Sequence, residues 1–362
     1  MLSALAAAVF VWPGSEGPAG IASRTLAQVE DRFRTEQGYR AWVSPEASAE
    51  EPAFVWDMAV LLSALAAGAH VGDPKAFEAL RHADRAMDAY WSKDARGEGY
   101  AVLPGQSDPD RYYDDNAWIA LAYLDAHRAL PQEGFLAKAL RAHAFAMAGE
   151  SDALGGGVFW RERERTSKNA CSNAPVALAA LGLFAETGDP AHLAAADRLI
   201  AFTKRLQDED GLVMDHLTLS GRVDGTKWTY NSALLLRALV HRYRLRHDPA
   251  DLAEAKRIGV ASRTKWLTAS GAIQDEASFA HHMADAWLDL HALDPAGGWE
   301  ALAVRATIEA DRLGRMPDGL CGLRWDRAEV RGGRRLLLYQ GSLLRAAYRA
   351  IGVFGGEPPK TD

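Results

Sequence analysis

Asp114 and Asp115 are adjacent carboxylates set between aromatic rings, in the run Arg111-Tyr112-Tyr113-Asp114-Asp115-Asn116-Ala117-Trp118. The apolar residues that follow, Ile119 to Leu124, recur with helical spacing, which puts the pair in a helix's first turn. One aspartate there would complement the helix dipole and satisfy free N–H groups. A second, with Tyr112, Tyr113 and Trp118 around it, exceeds what a cap needs. Paired carboxylates are candidates for acid–base and nucleophilic chemistry. Flanking aromatic rings suit the faces of a sugar.

The chain that must position this pair has 362 residues, 48% hydrophobic and 25% charged, an ordinary globular composition. Its net charge of −7 is carried by interspersed acidic and basic residues, and the lack of a basic block argues against nucleic acid as a partner. The densest charge run, Arg161-Glu162-Arg163-Glu164-Arg165, alternates in sign and reads as a solvated face; a decorated or anionic glycan is the alternative. Cys171 and Cys321 are the only cysteines, without Cys-x-x-Cys spacing, so zinc and redox motifs are not expected. Two small buried thiols are expected rather than a disulfide. Nothing calls for a metal or cofactor, and a monomer is expected.

Leu2 to Trp12 is an apolar run of signal-peptide length with no Lys or Arg before it. Residues 1–21 are therefore read as an N-terminal segment, 22–352 as one catalytic domain and 353–362 as a tail. No run reaches the roughly 20 apolar residues of a membrane helix.

Periodicity predicts twelve helices, at about 22–36, 53–68, 74–91, 113–130, 134–149, 170–186, 190–206, 227–245, 249–266, 276–293, 297–311 and 336–351. Asp73-Pro74, Asp189-Pro190, Asp248-Pro249 and Asp294-Pro295 are start signals, Asp capping and Pro opening the helix. Strand patterns are short, at 156–159 and 212–214. The fold class is all-α.

Helices rich in Arg, Asp and Glu alternate with helices apolar nearly all round, such as Val60–Leu65, Val176–Leu181 and Leu234–Leu239. A helix apolar on every side is buried on every side. Six such helices inside six half-exposed ones make an (α/α)6 toroid. The buried helices open on aromatic-polar clusters: Trp56-Asp57, Tyr113–Asn116, Lys168–Asn173, Lys227–Asn231, Asp275–His282 and Tyr339–Ser342. These recur about every 50 to 60 residues, one helical hairpin plus its loop. In a toroid they converge at one end, and the Gly- and aromatic-rich loops form the rim. The plainer reading, that each cluster caps its own helix, accounts for one polar residue per helix but not for the repeated Trp and Tyr.

Three motifs in order carry a family likeness: Asp114-Asp115-Asn116-Ala117-Trp118; then Gly155-Gly156-Gly157-Val158-Phe159-Trp160 leading to Lys168-Asn169-Ala170-Cys171-Ser172-Asn173; then Trp228-Thr229-Tyr230-Asn231. The set resembles glycoside hydrolase family 76, the endo-α-1,6-mannanases, with (α/α)6 folds and a retaining mechanism. By that resemblance Asp114 is the nucleophile and Asp115 the general acid/base. Retaining hydrolysis needs two carboxyl groups about 5 to 5.5 Å apart, which neighbouring first-turn residues can supply if their side chains diverge around the sugar. Like-charge repulsion raises one pKa of such a pair, as an acid requires. Lys168 is expected to hold Asp114 anionic. Asn169, Ser172, Asn173, Tyr230 and Asn231 are expected to bond sugar hydroxyls, Trp160 and Trp228 to stack on pyranose faces, and Tyr113, Trp56 and Asp57 to belong to the binding cleft. The sequence departs from the family where many members carry Phe-Lys-Gly; here it reads Phe279-Ala280-His281-His282. The resemblance implies a mannan-like glycan as substrate and a periplasmic or extracellular setting.

Alternatives are weaker. Transglycosylation on the same site differs only in water access. Sugar epimerases share the toroid and use two converging histidines, but adjacent His281 and His282 point about 100° apart on a helix. Prenyl-diphosphate enzymes need further carboxylates that Asp114-Asp115 lacks. A non-catalytic glycan-binding module would not need both carboxylates, and Gly-x-Ser-x-Gly is absent.

Overall fold

The structure, a computed structural model, describes residues 16–354. Within them the α-helices run in the order α1 (Pro18–Arg32), α2 (Val55–His70), α3 (Pro74–Met87), α4 (Tyr113–Ala129), α5 (Phe135–Met147), α6 (Ala170–Thr187), α7 (Pro190–Lys204), α8 (Thr229–Arg246), α9 (Pro249–Trp266), α10 (Ala277–His291), α11 (Trp299–Gly314) and α12 (Leu337–Phe354). Even-numbered helices pack side by side from α2 round to α12, and α12 closes on α2. Odd-numbered helices lie outside them. This is the expected (α/α)6 toroid.

The two rings start their helices differently. On α3, α7 and α9 the side chains of Asp73, Asp189 and Asp248 accept bonds from first-turn amides ahead of Pro at the first position. The inner helices α2, α4, α6, α8 and α10 have no side-chain cap of their own. Instead, the first N–H of each inner helix donates to the loop preceding the next inner helix. Val55 donates to Val102 O, Tyr113 to Trp160 O, Ala170 to Asp215 O, Ala277 to Leu323 O and Leu337 to Ala41 O. Thr229 donates to the Asp275 carboxylate at 2.9 Å. Six interlocking bonds thus satisfy amides that a helix cannot satisfy itself. They also free the neighbouring side chains to face the central cleft.

A second repeat sits at the fourth residue of the inner helices. Asn116 clamps the backbone N–H and C=O of Tyr100 at 2.9 and 3.0 Å, Asn173 those of Val158 at 2.7 and 3.0 Å, and Gln340 those of Cys321 at 2.8 and 3.0 Å. Ser232 accepts from Val213 N at 2.9 Å. Gly157, at φ +87, lets the chain pass Asn173 where a Cβ would stand 2.8 Å from its Oδ1.

Several expected boundaries shift. α1 begins at Pro18 and stops at Arg32, because Arg34–Thr35 pairs with Gly38–Tyr39. Asp294-Pro295 opens a short 3₁₀ turn, not α11; Asp294 instead accepts the Trp299 indole at 2.9 Å. At 156–159 and 212–214 only single bridges form, Val158 to Glu150 and Val213 to Gln207. The residues at 1–15 and 355–362, including most of the expected N-terminal segment and tail, lie outside the described residues.

The barrel end opposite the clusters is closed by charge. Arg345 bonds Asp285 at 2.9 Å and Asp125 at 2.7 Å, Arg237 bonds Asp289 at 2.7 Å, and Arg349 bonds Asp289 at 2.6 Å. Desolvating these groups costs several kcal/mol per ion, which the network offsets only while every member is paired.

Candidate active site

The inner-helix N-termini open on a cleft of about 970 Å³. Its walls include Trp56 and Asp57 of α2, Asp114, Asp115 and Trp118 of α4, Cys171 of α6, Tyr230 of α8 and Phe279 of α10. The second residue of four inner helices, Trp56, Asp114, Cys171 and Tyr230, occupies one equivalent position on this wall. The loops add Tyr112, Trp160, Arg161, Asn169, Asp215, His216 and Trp228. Phe279 stacks on Tyr230 at 4.4 Å between ring centroids and on Trp56 at 6.1 Å, making a continuous aromatic wall.

The two aspartates have unequal surroundings. Asp114 Oδ2 accepts the indole N–H of Trp160 at 2.8 Å and the thiol of Cys171 at 3.4 Å, and Oδ1 accepts the amide of Asp115 at 2.9 Å. Burial raises its pKa to about 6, with those donors holding it from rising further. Asp115 is pushed well above the usual carboxylate range, first by burial and then by the charges of Asp114 and Asp57. The pair therefore ionises in order, Asp114 first. Asp57, 4% exposed, is a third carboxyl in the cleft, raised by burial to about 8.

Of the residues expected in the binding cleft, Trp56, Asp57, Trp160, Asn169, Trp228 and Tyr230 line it with Asp114 and Asp115. Tyr113, Lys168, Ser172, Asn173 and Asn231 do not. The Tyr113 ring stacks on Phe145 and its hydroxyl accepts from Arg165 at 2.7 Å. Asn173 is the loop clamp already described, its amide group fully occupied by backbone. Ser172 is fully buried behind the wall, and Asn231, equally buried, donates to Asp215 at 3.2 Å. Lys168 points away from Asp114: its ammonium is caged by Ser151 O, Ala153 O and Gly156 O at 2.7 to 2.8 Å, and by Ser151 Oγ. It ties a loop together, while Trp160 and Cys171 take the role expected of it beside Asp114.

The charges of the Arg161–Arg165 run are taken up by neighbouring side chains. Arg161 pairs with Asp110 and Glu164, Arg163 with Asp108, and Glu162 takes the fully buried Arg111 in a two-point bond. The cleft lining carries Asp57, Asp110, Asp114, Asp115, Glu164 and Asp215 against Arg161 and His216, so an anionic glycan finds no free cation among these side chains. His281 and His282 do not line the cleft. Their rings lie 3.7 Å apart at a 40° tilt, with His282 stacked on Trp118, and burial lowers both pKa values, leaving them neutral. A converging pair of epimerase bases is not formed.

Sequence reasoning missed Cys171, Asp215 and His216 as cleft residues; Tyr112 and Trp118, noted there as flanking aromatics, and Phe279, noted at the departure from the family pattern, line it as well. Aligning the inner-helix starts by position would have found Cys171, the equivalent of Asp114 on α6. Asp215, His216 and Asp224 approach within 4.8 Å of one another, the spacing of a metal group. His216 and Asp215 are already bonded to each other at 2.9 Å. Cys171 and Cys321 are free thiols.

The sequence model of the family described as Glycosyl hydrolase family 76 matches residues 31–335. Among solved structures, the GH76 α-mannanase of Bacteroides thetaiotaomicron, as its selenomethionine derivative, superposes with a TM-score of 0.87 at 26% identity, covering 94% of this chain and 96% of that one. A family 76 glycoside hydrolase from a bovine strain of the same species gives 0.85 at 21%, covering 94% and 78%. An inactive variant of the α-1,6-mannanase GH76A of Salegentibacter sp., with two consecutive aspartates replaced by asparagine and α-1,6-mannotriose bound, gives 0.76 at 22%, covering 92% and 99%. No curated protein matches.

Proposed function

The chain belongs to glycosyl hydrolase family 76 and is a glycoside hydrolase, and on that premise we propose that it cleaves α-1,6-mannosidic linkages of a mannan-type polysaccharide with retention of configuration. The observation that carries this reading is the asymmetry of the pair: three donors, the Asp115 backbone amide among them, serve the Asp114 carboxylate, and none of them serves the Asp115 carboxylate. A nucleophile must be anionic and a general acid must be protonated at the same pH.

In the first step Asp114 attacks the anomeric carbon while Asp115 gives its proton to the leaving glycosidic oxygen. Asp114 Oδ2 already accepts two donors, so Oδ1, with one, keeps a lone pair for the attack. Asp115, now a carboxylate, then takes a proton from water as that water displaces Asp114. The aromatic wall of Trp56, Phe279, Tyr230 and Trp228 supplies stacking faces for pyranose rings. The shortage of free cations in the lining suits a neutral glycan. A polymeric substrate places the enzyme in the periplasm or outside the cell; no helix among the described residues is long and apolar enough to cross a membrane.

The test is product analysis on linear α-1,6-mannan, following by NMR the anomer first formed. Shorter oligosaccharides in the α-configuration support the reading. β-Configured products overturn retention, longer chains redirect the assignment to transglycosylation, and no turnover by folded protein removes the mannanase assignment.

A further inference from the structure

We propose that Cys171 is a positioning residue for the nucleophile, its thiol linking the hydroxyl of Tyr230 to Asp114 Oδ2 and holding that carboxylate in its reactive orientation. The proposal rests on Asp114 being the nucleophile. Three helices meet at this point, and each contributes its second residue: Asp114 from α4, Cys171 from α6 and Tyr230 from α8. The Sγ to Oδ2 separation of 3.4 Å suits a thiol donor, and Cys171 is only 5% exposed on the cleft wall. The second link, from the Tyr230 hydroxyl to that sulfur, is inferred from their neighbouring places on the cleft wall, and the Tyr230 ring is fixed by stacking on Phe279 and Trp118.

The direction of the relay follows from charge. Burial and the carboxylates of Asp114 and Asp215 push the Cys171 thiol well up, so it remains protonated and acts toward Asp114 as a donor. Tyr230, pushed up by the same surroundings, also keeps its proton and can give a bond to sulfur. Asp115 faces Asp114 across the same turn, and the His282 ring, 6.4 Å from that of Tyr230, is held neutral by burial. A residue needed only to fill space would be served as well by alanine, which has no proton to give. Cys321, the second thiol, is buried beside no such carboxylate bond and makes a natural control.

The experiment titrates Asp114 by carboxyl ¹³C NMR in wild type, Cys171→Ala, Cys171→Ser, Tyr230→Phe, Cys171→Ala/Tyr230→Phe and Cys321→Ala. Beside it run pH profiles of kcat/KM on an activated aryl α-1,6-mannotrioside. Loss of one weak charge-assisted bond should raise the Asp114 midpoint in Cys171→Ala by about half to one unit, move the acid limb with it, and lower kcat roughly threefold to tenfold. Cys171→Ser should stay near wild type, and Cys321→Ala should change neither midpoint nor limb. Tyr230→Phe should give a smaller shift that disappears in the double variant, since the two residues act in series. An unmoved Asp114 midpoint in Cys171→Ala, even with a lowered Tm, overturns the proposal, as does a Tyr230→Phe shift that adds fully. The NMR titration stands without turnover, so an inactive wild type would count against the mannanase reading alone.

Discussion

The indole N–H of Trp160 lies 2.8 Å from Oδ2 of Asp114, bridging two elements 46 residues apart in the chain. It is the shortest of the donor contacts on that carboxylate, and it stabilises the ionised form more than the neutral one. Replacing Trp160 with Phe keeps much of the ring and removes the proton. We expect the acid limb of kcat/KM, set by Asp114 near pH 6, to move upward by about one to two units, the equivalent of one hydrogen bond to a charged group. The sign is fixed: losing a donor to the anion raises the pKa, so activity is lost at higher pH. A pH–rate profile on a soluble mannooligosaccharide reads it directly, and a limb that stays in place would remove Trp160 from the nucleophile's electrostatics.

The unequal pair predicts unequal variants. Asp114→Asn should abolish turnover for every leaving group, because no covalent intermediate forms. Asp115→Asn should lose about 10²- to 10⁴-fold on mannan, yet keep fast first-step chemistry on aryl mannosides whose leaving group needs no proton. Added azide should then rescue Asp115→Asn as the α-mannosyl azide, the product of two inversions, whereas a β-mannosyl azide would make Asp115 the nucleophile. Equal losses on activated and natural substrates would reverse or erase the assigned roles.

Much of this architecture is legible in the sequence because it is repetitive. Helix periodicity, Asp-Pro starts and clusters at regular spacing all report one hairpin used six times, and local rules suffice for that. The failures occur where a side chain's partner is set by how the loops fold back on the helix starts, which neither period nor motif reports. Lys168 reads as a partner for Asp114 by its place in the motif, but its ammonium is satisfied by three carbonyls of its own preceding loop. Asn173 reads as a sugar ligand because it sits in an aromatic-polar cluster, whereas position four of the helix faces a neighbouring loop. Cys171 reads as core, since composition alone does not reveal that position two faces the nucleophile.

The Asn173 clamp yields a test that separates structure from binding. Removing the amide with Asn173→Ala leaves the buried N–H and C=O of Val158 without partners, at a cost of about 1–3 kcal/mol each at most. Urea unfolding should show a fall of that order in stability, while KM for mannooligosaccharides at a temperature where the variant is folded stays near wild type. A raised KM with unchanged stability would put Asn173 back in the cleft. Its equivalents, Asn116 and Gln340, should behave alike.

Asp289 links stability to pH at the closed end of the barrel. Burial alone would raise its pKa, but the guanidinium groups of Arg237 and Arg349 overcome that and hold it well below the usual carboxylate range. A folded pKa depressed below the unfolded value, about 3.9, contributes stability that is fully present above that value. The contribution is lost as pH falls from the unfolded pKa through the folded one. Asp289→Asn therefore has a pH-dependent cost. Near neutrality it leaves Arg237, mostly buried, and Arg349, half-buried, short of a charge, and we expect a loss of about 3 kcal/mol, the low end of the penalty for breaking a buried pair from one side. Toward pH 3 the wild type begins to lose the same interaction, so the gap between the two proteins should narrow. Urea midpoints measured at pH 7, 5 and 3 would read this out. A gap that stays constant down to pH 3 would mean that Asp289 binds protons equally in the folded and unfolded states, so that its folded pKa is not depressed, and that acid unfolding is set by other carboxylates.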